Sequence, residues 1–152
     1  MGTFSGKCKV ENSVDRTRSA VVPKLLVDTG SEYTWVSERT LARIGVPREK
    51  KDVSVVHANG QHVTRNVGFA IIRLDKYFTA EEVVFAEPGD LSLLGARTLE
   101  GLNLTIDPGR RSLVAAGPLP AASPTSPHRL TSALHSARTS RAARRRPLAR
   151  KK

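Results

Sequence analysis

Residues 24–36 read KLLVDTGSEYTWV, and the order of residue types there narrows the folds open to the chain more than any other stretch. Leu25, Leu26 and Val27 form an apolar run of the kind a buried strand shows, yet the next residue is a carboxylic acid. An ionised Asp28 without partners inside a core is strongly unfavourable, so the strand has to end here and deliver the side chain to an opening. Thr29 and Ser31 carry short hydroxyls that can hydrogen-bond a carboxylate or a nearby backbone. Gly30 between them permits positive φ and lets another backbone or a ligand approach closely. A strand that ends by presenting one rigid carboxylate is suited to orienting a water molecule. Taken alone, Asp-Thr-Gly is also ordinary turn chemistry.

The rest of the chain reads as short strands separated by turn signals. Residues 3–10 alternate, with Phe4, Gly6, Cys8 and Val10 on one side, as a half-buried strand does. Extended structure resumes at "AVVPKLLV", where Pro23 predicts an edge or a bulge. "SERTLARIG" predicts a helix, with Ser37 as its N-cap, Leu41 and Ile44 on one face and Gly45 at the C′ position. Asn59-Gly60 between two extended runs predicts a hairpin with a type I′ turn, and Gly68 predicts a bulge in the second strand. "AEEVVFA" is a further strand and "EPGD" a turn. "LSLLG" is a short strand, and "ARTLEG" one or two helical turns closed by Gly101. "LNLTI" and "RSLVA" flank "DPGR" as a last hairpin. Many short strands with two short helices predict an all-β domain, closed or sandwiched.

Charge divides the chain in two. Of its 152 residues, 25 are Lys or Arg and 14 Asp or Glu. Nine of those cations and no acid lie from Gly117 onward, so the first 116 residues carry a net charge of about +2 out of the total +11. The expected organisation is a folded domain over 1–116 and a tail over 117–152 rich in Ala, Ser, Pro and Arg. That tail cannot bury enough apolar surface to offset its ordering entropy and is expected to be disordered. Its cations predict non-specific polyanion binding, but it lacks the interleaved aromatics that stack bases. A single cysteine, Cys8, excludes an intramolecular disulfide framework and reads as a small buried hydrophobe. No run resembles a secretory signal or a membrane span, which predicts no membrane association and a cytoplasmic location. His57 and His62 flank the hairpin with no third ligand nearby, so they read as exposed hairpin residues and no metal is expected.

One carboxylate is a poor general acid and general base at once, whereas two about 3 Å apart cannot both ionise and share a proton. The chain has a single motif of this type. Chemistry that needs a pair would take the second from another copy, across a twofold axis that sets Asp28 against Asp28.

With these residues in view, the stretch LLVDTGS resembles the active-site motif of the aspartic proteases. The single motif in a short domain resembles their retroviral-like (retropepsin, clan AA) branch, in particular its small prokaryotic members. Asp28, Thr29, Gly30 and Ser31 match the family's pattern position by position. Leu93, Leu94 and Gly95 followed by a short helix match a second family feature, and the hairpin between the two lies where the family has its flap. The resemblance implies a closed β-barrel, half of an acid protease, active as a homodimer on a polypeptide substrate without a cofactor. It implies that Asp28 is catalytic, that Thr29 bonds across the dimer axis, and that Gly30 and Ser31 line the floor, with Ser31 able to donate to the aspartate. It implies that Glu32 contacts substrate backbone and that Ala58, Asn59, Gly60 and Gln61 form the flap tip. The tip ANGQ departs from the multiple-glycine tip of the viral enzymes. Trp35 stands where a medium aliphatic is usual, so it either narrows a pocket or fills the core. Two other readings remain open at this level: a catalytically silent dimer that binds peptides, and a basic protein whose tail associates with nucleic acid.

Overall fold

The computed structural model describes residues 4–121, and the basic segment beyond them, including most of the expected tail, lies outside the described residues. The elements in chain order are β1 (Ser5–Asn12), β2 (Ser19–Val27), β3 (Thr34–Ser37), α1 (Glu38–Arg43), β4 (Lys50–Val56), β5 (His62–Leu74), β6 (Tyr77–Ala86), β7 (Leu93–Leu94), α2 (Ala96–Gly101), β8 (Leu104–Asp107) and β9 (Ser112–Ala115). The expected all-β class with two short helices is what these elements form. Seven strands make one mixed sheet in the order β1-β2-β7-β3-β6-β5-β4, and β8 and β9 form a separate hairpin. β5 gives one edge to β6 and shares the other, pairing with β4 at its start and with β1 through Ala70–Arg73 at its end. At that second seam Glu11 is almost fully buried, and Arg73 Nε reaches its carboxylate at 2.9 Å. The arginine holds the Glu11 carboxyl below the usual range despite its burial.

Alternation along β3 and β6, which pair in parallel, explains how a small domain holds two apolar clusters. Val36 of β3 with Val83 and Phe85 of β6 face the larger core, where Cys8, Leu25, Leu41 and Leu99 also pack. Their neighbours Trp35, Val84 and Ala86 face the opposite side and bury against Val67, with Val53, Val55 and Leu93 at the margin. The run Val83–Ala86 is therefore apolar throughout because both faces are covered. In the larger core Cys8 is buried and its thiol is pushed up to about 12 by desolvation.

Several local expectations hold. Ser37 Oγ accepts from Thr40 N at 3.2 Å, and Gly45 follows α1 with φ +73. The β1–β2 register slips between Gly6/Cys8 and Leu25/Val22, which places a bulge at Pro23-Lys24. Three expectations fail, each for a physical reason. Only Gly60 has positive φ at the hairpin tip and Asn59 does not, so the turn is not type I′. His57 O accepts from Gly60 N and His57 N donates to Gln61 O, the pattern of a three-residue loop. Gly68 carries no bulge either, since its pairing with Val83 is regular, and the irregularity falls between Lys50 and Val53 of β4, where Asp52 has φ +54. A side chain at Gly68 would collide with the carbonyl oxygen of Pro47, which explains the glycine. Gly101 is the last residue of α2, but the left-handed residue that ends the turn is Asn103, at φ +53.

Gly68→Ala is expected to cost about 1–3 kcal/mol through overpacking. A urea titration would check this against Gly6→Ala, which meets nothing within 4 Å and should leave the midpoint in place.

Candidate active site

The site is built where β7 wedges between β2 and β3. Leu93 and Leu94 run parallel to Leu26 and Val27 on one side, while Leu93 pairs antiparallel with Trp35 on the other. Leu26 N donates to Ser92 O at 3.0 Å and Asp28 N to Leu94 O at 3.1 Å, so the ladder is complete up to the aspartate. The chain then turns: Ser31 N donates to Asp28 O at 3.2 Å, and Gly30 N donates to Asp28 Oδ1 at 2.9 Å. This short loop leaves the carboxylate half-buried, with Thr29 and Gly30 exposed beside it. Ser31 does not donate to the aspartate as the resemblance implied. Its hydroxyl is taken by Tyr33 O at 2.9 Å, and the partner of the carboxylate is the backbone of Gly30.

The Leu-Leu-Gly-helix segment acts as the mould of this loop. Ala96 N donates to Ser31 O at 2.8 Å and Arg97 N to Glu32 O at 3.1 Å, so the first amides of α2 satisfy the loop's carbonyls. Gly95 N donates to Thr34 Oγ1 at 3.0 Å, and that hydroxyl shares a 2.6 Å hydrogen bond with Thr98 Oγ1. Both threonines are fully buried. A Cβ at Gly95 would overlap the carbonyl group of Tyr33, so only glycine allows the close approach. The two sequence motifs are thus one structural unit with shared hydrogen bonds.

Above the loop lies a cleft of about 640 Å³. Asp28, Gly30, Ser31 and Glu32 line its floor, Tyr33, Trp35 and Leu93 its wall, Ser54–Ala58 the flap, and Gly89–Leu91 a rim loop. Among the residues expected at the flap tip, Ala58 lines the cleft, while Asn59, Gly60 and Gln61 are exposed at the end of the hairpin. Glu32 is exposed and meets Arg97 Nε at 3.1 Å. Trp35 does both things considered for it, since it is 5% exposed in the smaller core and still borders the cleft. His57 differs from its reading as an exposed hairpin residue. It is half-buried on the cleft side of the flap, its ring centroid 5.7 Å from that of Trp35.

A charged pair that sequence reasoning missed joins flap to rim. Arg65 of β5 makes a two-pronged contact with Asp90, Nε to Oδ2 at 2.7 Å and Nη2 to Oδ1 at 2.9 Å. The arginine, with a charged hydrogen bond to each oxygen, holds the Asp90 carboxyl below the usual range. No motif marks this pair, because its members stand 25 residues apart in unrelated strings.

A strand-end aspartate locked to a Leu-Leu-Gly wedge beneath a hairpin defines the class of retropepsin-like half-domains. The family model described as "gag-polyprotein putative aspartyl protease" matches residues 19–101, from the first residue of β2 to the last of α2. The chain belongs to this retropepsin-like aspartyl protease family, which implies aspartic-type hydrolysis at the level of the family. No curated protein matches the chain. Among the described residues no helix is long and apolar enough to cross a membrane.

Two outcomes test the local account. Thr34→Val leaves Gly95 N and the Thr98 hydroxyl without their partner and is expected to cost about 2–3 kcal/mol in denaturant titration. Because the folded Asp90 carboxyl titrates below its unfolded value, its contribution is present above that unfolded value and is lost as pH falls through the folded one. Asp90→Asn should therefore destabilise by about 2 kcal/mol at pH 6, with the gap from wild type closing below about pH 4.

Proposed function

We propose that the chain is an aspartic endopeptidase that works as a homodimer, with one active site assembled from two copies of Asp28. The observation that carries this reading is the placement of Asp28, at a strand end on the floor of a flap-covered cleft, held by Gly30 N on one carboxylate oxygen. The family match over residues 19–101 supports it, and so does the return of strand pairing from β5 to β1, which we read as a closed barrel.

The chemistry follows from a shared proton. Two carboxylates brought to about 3 Å ionise only once between them near neutral pH. The ionised one accepts a proton from a water molecule held between them, and the protonated one hydrogen-bonds the carbonyl oxygen of the scissile peptide. Water attacks the carbonyl carbon, the tetrahedral intermediate collapses, and the leaving amine takes a proton from the dyad. No covalent enzyme intermediate forms. In this reading Thr29 bonds across the axis and holds the two loops together, which its exposure next to Asp28 supports. The substrate enters as an extended strand beneath Ala58–Gln61, its backbone satisfied partly by the flap and partly by Glu32.

Asp28→Asn is expected to abolish cleavage of an unfolded-peptide pool, by a factor of about 10³ or more. Wild-type specific activity should rise with chain concentration, and excess Asp28→Asn chain should poison it by forming mixed dimers. Activity retained by Asp28→Asn, or independent of concentration across the monomer–dimer range, would sink the reading.

A further inference from the structure

The flap hairpin projects from the body, and its height above the floor depends on what ties its stem down. One tie is apolar: Val53 and Val55 of β4 pack against the cluster of Trp35, Val67, Val84 and Ala86, a contact that tolerates sliding. The second is directional. The Asp90 carboxylate accepts from Arg65 Nε, from Arg65 Nη2 and, at 2.8 Å, from Glu87 N of its own turn. Arg65 Nη1 donates to Thr64 O at 2.8 Å and lies 3.4 Å from a Glu87 carboxylate oxygen, so every guanidinium nitrogen is engaged. The two side chains are only 13% and 7% exposed, which leaves little room for water to substitute for either partner. Arg65 faces Val53 in the β4–β5 ladder, in the stem of the flap, and Asp90 sits in the rim loop.

Each joined element also carries one exposed aliphatic residue on the cleft. Val56 of the flap is 57% exposed and Leu91 of the rim 65%. Large apolar groups left in solvent at the two lips of a cleft gain by closing on apolar groups of a ligand. The distance between these lips is set by whatever joins the flap stem to the rim loop. Among the described contacts, the fork of Arg65 on Asp90 is the buried joint between them, flanked by the more exposed Glu87 carboxylate at 3.4 Å.

We propose that Arg65 and Asp90 form a positioning pair that locks the flap to the rim loop, sets the gap between Val56 and Leu91, and thereby governs how tightly the cleft holds an extended chain with an apolar side chain at that gap. The affinity part rests on the endopeptidase reading, while the locking part does not. Neither residue touches the reacting atoms. Loss of the pair acts on substrate capture, with KM rising and kcat nearly kept.

The test uses the full chain as wild type, Arg65→Gln, Asp90→Asn, the double variant and Arg65→Lys, which keeps the charge but not the fork. Amide hydrogen exchange is followed without substrate over residues 54–62 and 87–92, with β1 and β2 as reference. Each single substitution should speed exchange in both segments by about tenfold beyond the common change that the loss of overall stability brings to the reference strands. The double variant should match the singles, not their product, because either change breaks the same joint. Arg65→Lys should restore the reference strands fully if any single variant is globally loosened, and the two segments only in part. On a peptide substrate KM should rise about tenfold with kcat within about threefold. Faster exchange in only one segment, a uniform change throughout the chain, or multiplicative effects in the double variant would overturn the lock. A wild type that cuts nothing while its flap and rim respond together would remove the endopeptidase reading and leave the lock standing. A wild type that cuts while both segments ignore the substitutions would do the reverse.

Discussion

The arrangement rests on a two-residue strand. β7 contributes only Leu93 and Leu94, yet it fills the gap between β2 and β3 and supplies the carbonyl that receives the amide of Asp28. Without it the end of β2 would carry unpaired backbone groups next to a carboxylate, an arrangement a core does not tolerate. The wedge stays in place because its continuation is held from three directions. Gly95 packs against the Tyr33 carbonyl, Thr34 and Thr98 share a buried hydrogen bond, and the first amides of α2 take the carbonyls of Ser31 and Glu32. The carboxylate is thereby presented on a rigid loop without a single charged partner on its own chain among the ion pairs described.

From that loop outward the structure becomes less uniformly fixed. The floor is hydrogen-bonded backbone, the wall is the Trp35 cluster, and the flap is a hairpin whose stem shares that cluster. On the proposed endopeptidase reading, such a gradient suits a site that admits a polypeptide and then encloses it. A rigid floor keeps the reacting groups aligned, and an element with fewer buried contacts opens at lower free-energy cost. Trp35 belongs to both regimes, since it is part of the cluster against which the flap stem packs and it narrows the cleft beside His57.

Much of this was legible from residue types because it is local. Ser37 capping α1, Gly45 ending it, the bulge at Pro23 and the strand-to-Asp28 transition each follow from the conformational limits of one or two residues. The pairing of DTGS with the Leu-Leu-Gly segment was legible only as a resemblance, because nothing in either string says that the 61 residues of chain between them bring them together. The Thr34–Thr98 bond and the Arg65–Asp90 fork were not legible at all. Period-two alternation tells which face of a strand a residue occupies, but topology decides what stands opposite it. Gly68 shows the same limit from another side. A glycine in a strand signals either a bulge or a close approach, and the choice here was made by the Pro47 carbonyl, which sits beyond the reach of any strand pattern.

The central claim is that two Asp28 carboxyls from two chains share one proton. Carboxyl-carbon NMR of the full chain, labelled at aspartate and assigned with Asp28→Asn, measures this directly across pH at concentrations where the chain is dimeric. The account predicts that Asp28 titrates in two steps separated by more than about one unit, since coupled sites lose their protons one after the other. A single step near the ordinary aspartate value of about 3.9 would contradict it, because it would mean that each Asp28 titrates alone.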